Sequence, residues 1–219
     1  MHIYADGSAS RKRGCWKAGC GVWFARGSPH NISCSPRGKQ TNNRAELTAI
    51  ILAIRKALCW HTPITRLLIY SDSELCVEGI KTWRLRWKLD GWTRRGKPLS
   101  NVDLWKLIDR IMVAVETSEL ELVLVLVPAH VGIVGNECAD KLAGAAAKRA
   151  HRHAARSVAD RASAALDSMA DAMVAALTSD HQARQQQDAL SPIASNDPLQ
   201  WKYVPYHLRR YFSANTIRR

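Results

Sequence analysis

Four acidic residues stand where their chemistry would count. Asp6 ends the strand-like run Ile3–Ala5, Glu46 lies in the first turn of the helical stretch NNRAELTAI, Asp72 follows the apolar run LLIY, and Asp140 opens the last helix in GNECAD. In a mixed sheet, residues just past the ends of neighbouring strands converge on one edge, where a crevice forms. Four carboxylates meeting there would repel one another unless a divalent cation neutralised them, and hard oxygen ligands favour Mg²⁺ or Mn²⁺. Two such ions roughly 4 Å apart activate a water and stabilise the leaving oxygen of a phosphodiester. Each acid also has a plain structural role open to it: Glu46 as a charge near a helix N-terminus, Asp72 as an N-cap.

The elements that must position them read as α/β. Strand-like runs cover Ile3–Ala5, Cys20–Ala25, Ile32–Cys34, Leu67–Tyr70 and Leu120–Val127, the last a near-continuous apolar run that suits a buried strand. Asn43–Leu58 carries Leu47, Ile50, Ile51, Ile54 and Leu58 at helical spacing, and Ser73–Thr82 and Val102–Val115 also read as helices. Three strands, then helix, strand, helices, strand and helix predict a mixed sheet with helices packed on it. From Asn136 to about Leu177 the chain is Ala-rich, which predicts a long helix leaving the domain. Residues 181–198 are polar and carry two prolines, the signature of a linker. The chain closes on WKYVPYHLRRYFSANTIRR, where aromatics stand among basic residues.

Composition narrows the partners. Among 219 residues, 32 Lys and Arg against 19 Asp and Glu leave a net charge of +13, which points to a polyanion. Residues 1–150 hold 23 basic and 13 acidic residues, so most of the surplus belongs there. No stretch reaches the roughly 18 apolar residues of a membrane span. The N-terminus MHIYAD enters a strand pattern without a charged leader, so an intracellular protein is expected. Six cysteines without a CxxC pair leave a zinc ribbon unsupported and read as reduced thiols.

IYADGSA, TNNRAELTAI, IYSDSELCVEGI and PAHVGIVGNECADKLA occur in this order, and over residues 2–150 the chain resembles the type 1 ribonuclease H family. The family's four acidic positions fall on Asp6, Glu46, Asp72 and Asp140. The resemblance implies a ribonuclease H-like fold, a five-stranded mixed sheet flanked by helices, to which the Ala-rich run adds an expected C-terminal helical extension. It also implies hydrolysis of the RNA strand of RNA–DNA hybrids with two Mg²⁺ ions, for which Mn²⁺ substitutes, leaving a 5′-phosphate and a 3′-hydroxyl. His130 matches the family's flexible-loop histidine, suited to moving a proton because an imidazole titrates near neutrality. Its plainer reading is an exposed loop histidine, as for His30 and His151. Asn136 matches a residue that orients a metal ligand, and a helix cap is its alternative.

A hybrid must be gripped by both strands, and the 2′-hydroxyl identifies RNA. Asn42, Asn43 and the backbone at Gly7–Ser8 match positions for that contact. Lys39, Thr41 and Asn101 match a DNA phosphate pocket, with Lys39 in place of the more usual arginine, so a point charge replaces a fork. The segment 81–97, KTWRLRWKLDGWTRRGK, carries seven basic residues and one acidic, and resembles the basic handle of cellular enzymes. Trp83 falls at the family's DNA-channel aromatic, whereas Trp87 and Trp92 are expected partly in the core. The hairpin segment after Asp6 departs from the family in carrying Arg11, Lys12 and Arg13. The expected organisation is a catalytic domain over 1–150, a helical extension over 151–180, and a linker with an aromatic, basic tail over 181–219. A monomer without membrane contact is expected. Two alternatives stand: a retroelement or viral ribonuclease H domain, and a hybrid-binding protein without catalysis.

Overall fold

Strand β1 (His2–Lys12) and strand β2 (Cys15–Trp23) form a long hairpin, paired from Tyr4↔Trp23 to Lys12↔Cys15. The structure is a computed structural model that describes residues 1–153, apart from 13 and 61–63, together with positions 171 and 175. Gly14 takes a φ of 78° in the tight turn, a conformation open to glycine without steric cost. The chain then runs through β3 (Ile32–Cys34), α1 (Asn42–Leu58), β4 (Arg66–Ser71), α2 (Glu74–Glu78), a π-helical turn (Gly79–Trp83) and α3 (Arg84–Leu89). A two-residue hairpin of β5 (Thr93–Arg94) and β6 (Lys97–Pro98) precedes α4 (Val102–Glu116), β7 (Glu121–Leu126) and α5 (Val134–His153). The five longer strands lie in the order β3-β2-β1-β4-β7, with β1, β4 and β7 parallel and β2 antiparallel to its neighbours. This is the mixed sheet that the apolar runs predicted.

One face of the sheet carries the main core. Ile3, Ala5, Leu67 and Ile69 meet Leu47, Ile50, Ile51 and Ile54 of α1 and Leu104, Ile108 and Ile111 of α4, all essentially buried. Each such Leu or Ile side chain contributes roughly 1.5–3 kcal/mol by leaving water. Successive side chains on a strand alternate faces. Gly7 faces α1, where a Cβ would stand 2.3 Å from the backbone nitrogen of Glu46. Gly19 and Gly21 face α5, where Cβ atoms would lie 2.1 Å and 2.0 Å from the carbonyl oxygens of Ala143 and Ala139. Alanines on the helix and glycines on the strand thus let α5 lie directly on β2.

Three local expectations need correction. β1 continues to Lys12, so Asp6 is inside a strand; it stands just past Tyr4↔Tyr70, where the pairing of β1 with β4 stops while that with β2 continues. The polar run after Asp6 hid this, because a hairpin arm free of the core needs no apolar alternation. Glu46 lies in the second turn of α1, since the helix is capped by Thr41, whose hydroxyl accepts from the Arg44 N–H. Asp140 likewise lies inside α5 rather than opening it. The helix expected over Ser73–Thr82 is capped by Ser73 and runs through the π-helical turn into α3. No helix among the described residues is long and apolar enough to cross a membrane. The expected linker and aromatic tail lie outside the described residues, as does most of the Ala-rich extension beyond α5.

Candidate active site

Asp6 is 6% exposed, and its carboxylate accepts the Gly7 N–H at 2.7 Å. Its pKa is pushed up from 3.8 to about 8, first by burial and then by the charge of Asp72, with Asp140 and Glu46 adding to the repulsion and the Gly7 bond opposing it. The structure therefore brings the other three acids expected from the sequence within electrostatic reach of Asp6. The route is visible in the fold: β1 supplies Asp6, glycine at position 7 lets α1 approach with Glu46, the end of β4 delivers Asp72, and α5 carries Asp140.

Glu46 is held at both oxygens. Asn42 Nδ2 donates to Oε1, while the Ser73 hydroxyl at 2.6 Å and the Cys76 thiol at 3.8 Å donate to Oε2. Burial raises its pKa, the Ser73 bond opposes the shift, Asp72 adds to it, and the Cys76 bond opposes it. Burial also pushes the Cys76 thiol upward, with Glu46 adding to the shift, so it stays a neutral donor. Asn136 Nδ2 donates to Asp72 Oδ2 at 2.8 Å. Because Asn136 lies within α5, it is a buried side chain that orients Asp72 rather than a helix cap. Its Oδ1 is buried without a hydrogen-bond partner among the described residues.

No ion pair among the described residues involves Asp6, Glu46, Asp72 or Asp140. No three His, Cys, Asp or Glu side chains among them form a group able to hold a metal ion as they stand. The donor chemistry nevertheless suits a hard divalent cation: all four groups are oxygen donors, their charges are uncompensated, and an orphaned amide oxygen lies beside them. His130 is exposed in the loop between β7 and α5, in the left-handed region at φ 54°. Among the described residues no hydrogen bond ties it to a carboxylate. His30 lies in a loop as read but is half-buried, packed against Phe24 and Trp60, and His151 sits on α5 against Ser10.

Around this centre lie the expected nucleic-acid positions. Lys39, Thr41, Asn42 and Asn43 are exposed in and after the loop that enters α1. Arg44, which sequence reasoning passed over, draws Asn101 to the same place: its guanidinium donates to Asn101 Oδ1 at 3.3 Å and to both oxygens of Asp103 at 3.0 and 2.6 Å. Thr41 and Asn101 are thus joined through one buried arginine. Trp83 is 36% exposed on the π-helical turn, whereas Trp87 is buried against Trp105 and Trp92 is partly buried. Glycine at 79 leaves room for that packing, since a Cβ there would lie 2.5 Å from the Trp105 ring. Arg84, also missed, is buried and paired with Asp109 at 2.6 Å and Glu116 at 2.7 Å, and Lys88 pairs with Asp109 at 2.8 Å. Nothing local in the sequence signals these partners, which lie a whole helix away.

The ribonuclease H family model matches residues 1–148. Ribonuclease H1 of Mus musculus is 37% identical over 151 residues, covering 67% of this chain and 50% of the mouse protein. Ribonuclease H of Methylobacillus flagellatus is 38% identical over 146 residues, covering 65% of this chain and 88% of the bacterial one. The chain therefore spans about half the length of the mouse relative it matches. Among solved structures, the PFV ribonuclease H domain superposes with a TM-score of 0.53 at 26% identity, covering 68% of this chain and 94% of that one.

Proposed function

We propose that this chain, which belongs to the ribonuclease H family, is an endonuclease that hydrolyses the RNA strand of RNA–DNA hybrids, leaving a 5′-phosphate and a 3′-hydroxyl. The observation that carries the reading is the convergence on buried Asp6 of the charges of Asp72, Asp140 and Glu46, which add to the effect of burial in raising its pKa, at a place where no ion pair among the described residues involves any of the four. Asp6, Glu46, Asp72 and Asp140 would hold two Mg²⁺ ions, or Mn²⁺, which supply Lewis acidity and charge neutralisation when bound. The chain's own groups do the remainder. The Gly7 N–H, Asn136 and the Asn42–Ser73–Cys76 trio fix the directions of three carboxylates before substrate arrives, which lowers the reorganisation needed during reaction. His130, on its exposed loop, takes up or delivers a proton at the cleaved phosphodiester.

Substrate is held on both strands in this reading. Asn42 has one amide hydrogen committed to Glu46, so its carbonyl oxygen and Asn43 remain to meet 2′-hydroxyls. Lys39, Thr41 and Asn101 receive a DNA phosphate, and Trp83 packs on a deoxyribose. The catalytic unit spans 1–150, with the extension over 151–180 and the tail over 181–219 appended. The basic segment 81–97 favours a cellular type of enzyme over a retroelement domain. The protein acts as an intracellular monomer, which sedimentation velocity and localisation of the tagged protein check.

The test is cleavage of an end-labelled hybrid with Mg²⁺ by the wild type and Asp72→Asn. Cutting by the wild type and none by the variant is expected. Equal cutting by both would remove the assigned mechanism, and hybrid binding without cutting by the wild type would select the non-catalytic alternative.

A further inference from the structure

β3 joins β2 through three residue pairs, and one of them sets Cys20 directly opposite Cys34. Opposed side chains on paired antiparallel strands share a face, with Cβ atoms about 4.5–5.5 Å apart, close to the separation a disulfide spans. Both residues are free thiols; Cys20 is fully buried and Cys34 is half-buried, so one member of the pair is reachable from solvent. Their sulfurs already interact. A hydrogen bond from Cys20 pulls the Cys34 thiol below its usual range, burial opposes this, and the Arg149 guanidinium assists. Arg149 is itself fixed on β3, donating to the Ser33 carbonyl and hydroxyl oxygens at 2.7 Å each. The other cysteines are placed differently: Cys15 and Cys59 are exposed, Cys76 donates to Glu46, and Cys138 lies on α5.

We propose that Cys20 and Cys34 are a peroxide-reactive pair that closes to a reversible cross-strand disulfide. The Cys34 thiolate attacks one oxygen of a hydroperoxide, the O–O bond breaks, and the departing oxygen leaves as water or alcohol with a proton, giving a sulfenic acid on Cys34. The Cys20 sulfur then attacks the sulfenic sulfur, the S–S bond forms, the S–O bond breaks, and a water leaves carrying the Cys20 proton. Two thiols have lost two electrons to one peroxide, and a dithiol reductant reverses the change. β3 is the edge strand that leads through the loop 35–41 to the Thr41 cap of α1. A staple there anchors the start of the loop that bears Lys39. Any effect on hybrid binding rests on the function proposed above, whereas the disulfide chemistry does not.

The experiment needs no nucleic acid. The full chain carrying Cys15→Ser and Cys59→Ser is treated with hydrogen peroxide, quenched with catalase and followed by intact mass, peptide mapping and thermal unfolding. The expected result is a mass loss of about 2 Da with a mapped Cys20–Cys34 link, together with a Tm rise of ~5 °C for a loop of roughly 15 residues, both reversed by dithiothreitol. Amide exchange in residues 32–41 slows by about tenfold on oxidation. Cys34→Ser, at a half-buried position, removes all three changes, and Cys20→Ala serves as the second variant if it folds. Stoichiometric oxidation elsewhere with Cys20 and Cys34 unlinked overturns the proposal, as does a linked pair whose formation leaves both Tm and exchange unchanged.

Discussion

Charge is buried in two regions of this molecule on opposite terms. At the sheet edge, Asp6, Glu46, Asp72 and Asp140 face one another with no ion pair among the described residues, and the cost appears as an Asp6 carboxyl pushed up to about 8. Beneath the basic segment, Arg84 and Asp109 are about equally buried but their charges pair with each other, with Glu116 and Lys88 joining the group, while Arg84 Nε has no hydrogen-bond partner among the described residues. The second region spends its electrostatics on holding α3 to α4, and so on presenting Trp83. The first leaves its electrostatics unspent, available to whatever cations and phosphates arrive. A site that must bind cannot be satisfied beforehand, whereas a scaffold must be.

The comparison breaks most directly at Asp6. Asp6→Asn should lower hybrid cleavage by more than about 10³-fold while raising the Tm of the metal-free protein; a variant that loses stability along with activity would merge the two regions into one class. Next in size is Arg84. Arg84→Met leaves Asp109 buried beside only the half-exposed Lys88, and should cost roughly 3–5 kcal/mol in chemical denaturation. Its turnover at saturating hybrid should stay near that of the wild type.

The third expectation concerns pH. The folded state holds the Asp6 proton up to about 8, whereas the unfolded chain releases it near 3.8, so the folded state binds more protons between those values. The contribution of Asp6 to the stability of the metal-free protein is therefore full below about pH 4 and falls as pH rises towards 8, by roughly 2–4 kcal/mol. Glu46, also shifted upward, adds to the same slope. Denaturation of the wild type and Asp6→Asn across this range checks it, with a flatter profile in the variant. Smaller again is Asn136→Ala, which frees Asp72 and should weaken Mn²⁺ binding by about 10–100-fold in calorimetry. The exposed pair of Arg66 and Glu121 sets the floor: Arg66→Ala should change stability by less than about 1 kcal/mol.

Much of the first region could be read along the chain, because its members are chemically conspicuous and follow apolar runs or open helical stretches. Asp72 after LLIY is the clearest case. What escaped was the depth of placement: Glu46 and Asp140 lie a turn further into their helices than expected, since the true helix starts depend on Thr41 as a cap and on the loop that ends near Ile133. The second region was legible only as a basic segment with tryptophans. Trp87 and Trp83 separated into core and surface as expected. Arg84, however, reads locally as one more surface cation, and its partners Asp109 and Glu116 become visible only when α3 is laid on α4. Ser73 and Cys76 escaped for the same reason, because their contact with Glu46 joins segments 27 and 30 positions apart.

Gly21 stands opposite Asp6 across the β1–β2 hairpin and touches α5 at Ala139, the residue before Asp140. The gap between two of the four acids is thus gauged by a position with no functional group at all. A methyl group there would act as a shim, lifting the helix off the sheet and carrying Asp140 with it. An activity screen would then flag Gly21 as if it were catalytic, though its whole contribution is a thickness. The precision of this edge is a matter of clearances as much as of charges.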